Sequence, residues 1–214
     1  LKLFARPRAQ EVAIVGVATP AAALELLRTT RGRAGGQLTA FEIMPRMLVG
    51  FAVRHQPGTR DPLATAQPWY LLMEVSVGTS PQEGRALVET ILEDGMAAGL
   101  VQDATLAQSV AQANDFWRLR HGLSEVQKYE GGSIKRDVAL PLAAIPEFLD
   151  RAAAAVEQVA PGCRLVAFGH LGDGNIHYNV SQPVGADKAD FLARWDAMNA
   201  AVHAIATGMG GSIA

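Results

Sequence analysis

The stretch "RLVAFGHLGDGNIHYNVSQ", Arg164–Gln182, decides how this chain folds. Two apolar runs, "RLVAFGH" and "NIHYNVSQ", flank Asp173-Gly174. That dipeptide favours a tight β-turn, because both residues tolerate positive φ. The segment therefore predicts two paired antiparallel strands. A two-residue turn centred there sets Gly172 against Asn175, Leu171 against Ile176, His170 against His177 and Phe168 against Asn179. Directly opposite residues share a sheet face, with Cβ atoms about 4.5–5.5 Å apart. His170 and His177 are then expected side by side, with Asn179 two residues on along the same face. Two adjacent imidazoles suit one divalent ion, and a complete site needs at least a third ligand. The plainer alternative is a half-buried strand face that happens to use two amphipathic histidines. Asp173 reads as a turn residue rather than a ligand.

Working outward, "GSIKRDVAL" before this hairpin reads as a strand and Pro146–Val159 as a helix. After it, Asp187–Thr207 reads as a helix ended by Gly208, and "GGSIA" opens a further strand. The first half spells the same order. Strands are expected at Glu11–Ala18, "QLTAFEIM", Trp69–Gly78 and "VQDATLAQ". Helices are expected after Thr19-Pro20 and Ser80-Pro81, whose capping residue and N1 proline mark helix starts. Pro45–Arg54 reads as a helical insert, and a helix from Ser109 to Tyr129 links the halves. Two runs of βαββαβ predict an α+β fold: a duplicated ferredoxin-like domain, its sheet mostly antiparallel with helices on one face. Its halves are residues 1–107 and 108–214. The repeat is one of topology, with no repeated sequence.

The bulk composition excludes several classes. At 49% hydrophobic and 19% charged, 214 residues can bury a sizeable core. The net charge of −2, with no basic stripe, argues against nucleic acid as a partner. One cysteine, Cys163, forbids an intrachain disulfide and reads as a small buried apolar residue. It fits a reducing compartment, and a cytoplasmic location is expected. No apolar run approaches the roughly 18 residues that span a bilayer. Only four of the 19 basic residues are lysine, which points to a GC-rich bacterial source. The chain opens at Leu1 without a signal peptide and stops as a strand begins, so both ends read as cut from a longer polypeptide.

Two polar segments carry further candidates. In "DFWRLRHGLSEVQK", Arg120 and Ser124 stand four residues apart, hence on one helix face. In "GGSIKRDVALPL", alternation sets Ile134, Arg136, Val138 and Leu140 on one face, and Lys135, Asp137 and Ala139 on the other. Arginine offers a bidentate fork and lysine a point charge, so Arg120 with Lys135 could hold a carboxylate. A solvated helix face and an ordinary cross-strand ion pair explain the same spacing.

These segments together resemble a known family. "WRLRHGLSE", "GGSIKRDVALPLAAIPEFL", "VAFGHLGDGNIHYNV" and "GGSIA" are similar to the C-terminal domain of FAD-linked oxidases of the vanillyl-alcohol-oxidase superfamily. Within it the likeness is to the D-2-hydroxyglutarate dehydrogenase, D-lactate dehydrogenase and glycolate oxidase subunit group. "LKLFARPR" and "LTAFEIM" fit as well. The resemblance implies oxidation of a D-2-hydroxy acid to the 2-oxo acid, with FAD held mainly by a separate N-terminal domain. It implies a divalent metal, usually zinc, on His170 and His177. The third ligand, a glutamate, and a catalytic histidine fall beyond Ala214, so this stretch alone is expected to be inactive. It also implies Arg120, Ser124, Lys135 and Asn179 as substrate anchors and sets Asn175 toward the flavin. Arg136 stands where an aromatic residue or histidine is common. The implied partners are the 2-hydroxy acid and the chain's own FAD domain, with a homodimer as an option. The rival readings are a non-catalytic ferredoxin-like ligand-binding module and a metal-free flavin oxidase of the same superfamily.

Overall fold

The structure, a computed structural model, describes residues 7–213. Of "LKLFARPR", residues 1–6 lie outside the described residues, as does Ala214 of "GGSIA". The chain divides into two compact units. The first holds the described residues through Ile43 together with Asp61–Arg120; the second holds Met44–Arg60 and His121 onward.

The elements run in chain order as β1 (Ala9–Val17), α1 (Pro20–Ala34), β2 (Leu38–Pro45), α2 (Arg46–His55), β3 (Trp69–Val77), α3 (Pro81–Ala97) and β4 (Val101–Leu106). In the first unit the strand order is β2-β3-β1-β4, with β1 antiparallel to both β3 and β4. Placing the last and third strands on either side of the first is the ferredoxin-like arrangement that two βαβ turns produce. The helix starts follow from local chemistry. Thr19 Oγ1 accepts from Ala22 N–H at 3.1 Å and Ser80 Oγ from Glu83 N–H at 3.2 Å, each followed by proline at N1. Helices α1 and α3 pack on β1 and β3.

Val12–Val17 is buried without alternation, so both sides of β1 are covered. The loop from Asp61 supplies part of that cover. Tyr70 Oη donates to Asp61 Oδ2 at 3.0 Å and Leu63 is buried. A Cβ on Gly16 would lie 2.3 Å from Gln67 and 2.9 Å from Leu63, so glycine at 16 is what lets the loop lie flat on the strand.

The second unit repeats the plan with its strands divided. Helix α4 (Val110–Val126) leads in. It is followed by β5 (Ser133–Ile134), β6 (Asp137–Ala139), α5 (Ile145–Val159), β7 (Arg164–Leu165), β8 (Phe168–His170), β9 (Asn175–His177) and β10 (Val180–Ser181). Then come α6 (Lys188–Leu192), α7 (Trp195–Gly208) and β11 (Ser212–Ile213). The longer strands order as β11-β6-β9-β8, the same permutation as in the first unit. A second small sheet, β5-β10-β7, takes the other ends of three of these strands. Thus "GSIKRDVAL", "RLVAFGH" and "NIHYNVSQ", expected as single strands, each change sheet part-way. The breaks fall at Lys135–Arg136, Val166–Ala167 and Tyr178–Asn179. Asn179 N–H turns back to His177 O at 3.1 Å, which takes the backbone out of the first ladder.

Other expectations differ from the structure. The helix expected over 187–207 is two, because the chain leaves helical geometry at Arg194 (ψ 5°) between α6 and α7. Gly208 closes α7 from inside rather than following it. The insert α2 belongs to the second unit, where Glu130, 8% exposed, binds Arg54 at 2.5 Å, His55 at 2.7 Å and Arg164 at 2.6 Å. Cys163 is half-buried, not buried.

Candidate functional site

The hairpin pairs Phe168 with His177, Gly169 with Ile176 and His170 with Asn175. The expected two-residue turn would have set His170 opposite His177, so the register differs by two. The difference begins at Leu171. It is fully buried, but as part of a longer turn rather than as a strand residue opposite Ile176. Instead Leu171–Gly174 forms the turn, with Gly174 N–H and Asp173 N–H both donating to His170 O and Asp173 Oδ1 capping Asn175 N–H. A shift of two preserves the face. The histidines end up diagonal rather than opposite, with ring centroids 5.5 Å apart at 73°.

Gly174 makes this turn possible. Its φ is +83°, and a Cβ there would lie 2.3 Å from Leu140 O, whose own N–H donates to Gly174 O at 3.0 Å. Gly174→Ala is expected to cost about 2 kcal/mol through left-handed strain and that contact, read as a lower urea midpoint.

The neighbouring strand fixes the orientation of His177. Asp137 sits directly across on β6, and its Oδ1 is 2.7 Å from His177 Nδ1. A carboxylate on Nδ1 selects the tautomer that leaves Nε2 as the free lone pair, the form that ligates a metal. Among the described residues no three His, Cys, Asp or Glu side chains come together as a metal-ligand set. What the second unit presents is two imidazoles on one face, one of them oriented.

Beside them lies a cleft of about 450 Å³, lined by Ser124, Lys135, Arg136, Asp137, His177 and Asn179. Two of the points where strands change sheet, Lys135–Arg136 and Tyr178–Asn179, contribute to its lining. Lys135 Nζ donates to Ser124 O at 2.9 Å. Burial holds its ammonium below the ordinary lysine value. Asn179 is 2% exposed; its amide donates to Gln127 Oε1 at 3.1 Å, and its Oδ1 has no protein partner. Gln127 is itself fully buried and anchored by donation to Leu123 O. Neither Asp137 nor Gln127 was singled out by sequence. Asp137 was already on the face of Lys135 by alternation; what sequence did not supply was the register of β6 on β9 that sets it opposite His177.

The residues 6–214 match the model of the FAD linked oxidases, C-terminal domain. The chain belongs to this family. Among its relatives is a D-2-hydroxyglutarate dehydrogenase of Xanthomonas citri pv. viticola, 36% identical over 165 residues. That match covers 77% of this chain and 34% of the relative. A mitochondrial D-2-hydroxyglutarate dehydrogenase of Arabidopsis thaliana is 31% identical over 164 residues, 77% of this chain and 29% of the relative. The chain therefore spans about a third of such relatives. A solved p-cresol methylhydroxylase with substrate bound superposes at a TM-score of 0.68 and 13% identity, over 99% of this chain and 46% of that one. At that identity the likeness is one of fold.

Two further residues expected at the site from sequence have defined surroundings. Arg120, on α4 one turn before Ser124, is 6% exposed and binds Glu42 Oε2 through Nε at 2.9 Å and Nη2 at 2.7 Å. Its guanidinium already holds a carboxylate of the protein. Asn175, opposite His170, keeps a buried Oδ1 with no protein partner.

Proposed function

We propose that this FAD-linked oxidase domain is the part of a flavin-dependent dehydrogenase that holds a D-2-hydroxy acid for oxidation to the 2-oxo acid. The observation that carries it is the convergence of Lys135, Ser124, Asn179 and the Asp137–His177 pair in one cleft. Lys135 is the cation assigned to the substrate carboxylate, since the charge of Arg120 is matched by Glu42. The Ser124 hydroxyl lies on the same wall and can donate to that carboxylate. Asn179 offers an acceptor, which suits the 2-hydroxyl rather than a carboxylate. Asn175, with its own buried acceptor, is assigned to the flavin side. FAD supplies the two-electron chemistry when bound, and the protein supplies position and electrostatics.

His170 and His177 suit a zinc-class ion as two of its ligands. Their shared face, the 5.5 Å ring separation and the carboxylate on His177 Nδ1 support that assignment. Such a site would polarise the substrate hydroxyl. Asp137→Ala is expected to weaken zinc binding roughly 10–100-fold in a chelator competition, independent of turnover.

Activity of the full-length holoenzyme with a dye acceptor tests the assignment. D-2-hydroxyglutarate, D-lactate, glycolate and p-cresol would be compared. Oxidation of a 2-hydroxy acid with no turnover of the phenol is expected. Turnover of the phenol alone would assign the cleft to the other substrate class of this fold.

A further inference from the structure

Arg136 lies on the face of β6 opposite Lys135 and Asp137, as alternation requires. It is 7% exposed. Nη1 makes a long contact to Met198 O at 3.5 Å, while Nε and Nη2 are buried without a hydrogen-bond partner. Among the described residues no carboxylate pairs with it. Across from it Tyr178, whose N–H donates to Arg136 O at 2.8 Å, is fully buried. The guanidinium carbon is 5.9 Å from the Tyr178 ring centroid, and Phe148 packs edge-on against the same ring at 5.3 Å. Tyr178 Oη, Asn199 Oδ1 and His203 Nε2 are also buried without partners, the last two one turn apart on α7.

A buried cation with no counter-charge is costly, and an orphaned donor edge adds to that cost. Burial pulls the Arg136 guanidinium down to about 10. It lowers His203 as well, with the charge of Arg136 acting in the same direction. The two orphaned nitrogens are those whose N–H bonds run parallel along one side of the guanidinium. That edge matches the two oxygens of a carboxylate. The Tyr178 hydroxyl is a third donor.

We propose that Arg136 and Tyr178 form an anion site behind the sheet, which takes a small carboxylate-class oxyanion on the Nε–Nη2 edge. Arg136 also lines the cleft, so the two sites adjoin; what sets this one apart is the orphaned Nε–Nη2 edge, on a guanidinium whose Nη1 reaches Met198 O of α7. The anion neutralises the guanidinium beneath α7 and so stabilises the unit rather than entering the reaction.

The test is thermal unfolding of the full-length holoenzyme in sodium acetate or formate against sodium chloride at equal ionic strength. Carboxylates are expected to raise the midpoint by about 3 °C at tenfold excess over their Kd. The rise should vanish in Arg136→Met, shrink in Tyr178→Phe, and persist in Lys135→Met. Equal midpoints in all three salts would overturn the proposal. So would a carboxylate response lost in Lys135→Met and kept in Tyr178→Phe, which would place the anion in the cleft. If Arg136→Met does not fold, the Tyr178→Phe and Lys135→Met pair still separates these outcomes.

Discussion

Replacing Arg120 with methionine is expected to destabilise the protein by about 3–5 kcal/mol. The pair it makes with Glu42 is among the most buried in the chain, with side chains 8% and 6% exposed. Removing the cation takes the 2.7 Å counter-charge away from a carboxylate in a desolvated setting. The double change Glu42→Leu with Arg120→Met should recover most of the loss, because two apolar side chains of similar volume need no partner. Urea unfolding of the three variants measures both effects. If Arg120→Met kept its stability and only raised KM, the guanidinium would belong to the substrate and the Glu42 pair would be incidental.

Lys135→Met is expected to act the other way, on function with little change in stability. Lys135 is exposed, and its Nζ donates to the backbone carbonyl of Ser124. A charge-assisted contact to substrate carboxylate is worth about 1.5–3 kcal/mol, so KM for the 2-hydroxy acid should rise about 10–100-fold. The pH dependence follows from the same ammonium. Its folded pKa lies below the ordinary 10.5 because burial disfavours the charged form. Carboxylate binding needs the protonated amine. Affinity should therefore hold at neutral pH and fall as pH rises through that lowered pKa. Lys135→Met should abolish this alkaline limb, and persistence of the limb in the variant would assign it to another group.

The contrast between these two residues shows where sequence reading reaches its limit. Helical spacing placed Arg120 and Ser124 on one face of α4, and strand alternation placed Lys135 opposite Arg136; burial follows the strand pattern, whereas on α4 Arg120 is buried and Ser124 exposed. Neither pattern contains the partner. Glu42 lies 78 residues before Arg120 in the chain, and only the fold brings its carboxylate to the guanidinium. The hairpin shows the same limit at short range. Asp173-Gly174 marked a turn and its glycine carries the positive φ, so the strand pair and the shared face of the histidines were legible. The length of the turn shows in the bonds from Asp173 and Gly174 N–H to His170 O, which local sequence does not state. The strand breaks at Lys135–Arg136, Val166–Ala167 and Tyr178–Asn179 were hidden for a related reason. Each segment keeps a strand-like composition through a bend that is visible only once its neighbours bend with it. The ferredoxin-like permutation was legible in both units, because element order and short connections leave few ways to pair the strands.

The most direct test of the proposed chemistry uses the full-length holoenzyme under anaerobic conditions. It would be mixed with the 2-hydroxy acid it oxidises while flavin absorbance is followed, first as isolated, then after exhaustive EDTA treatment, then after zinc is restored. The expected result is bleaching that EDTA abolishes and zinc returns, with no recovery in His177→Ala. Full bleaching in protein shown by metal analysis to be free of divalent ions would contradict a metal role for His170 and His177.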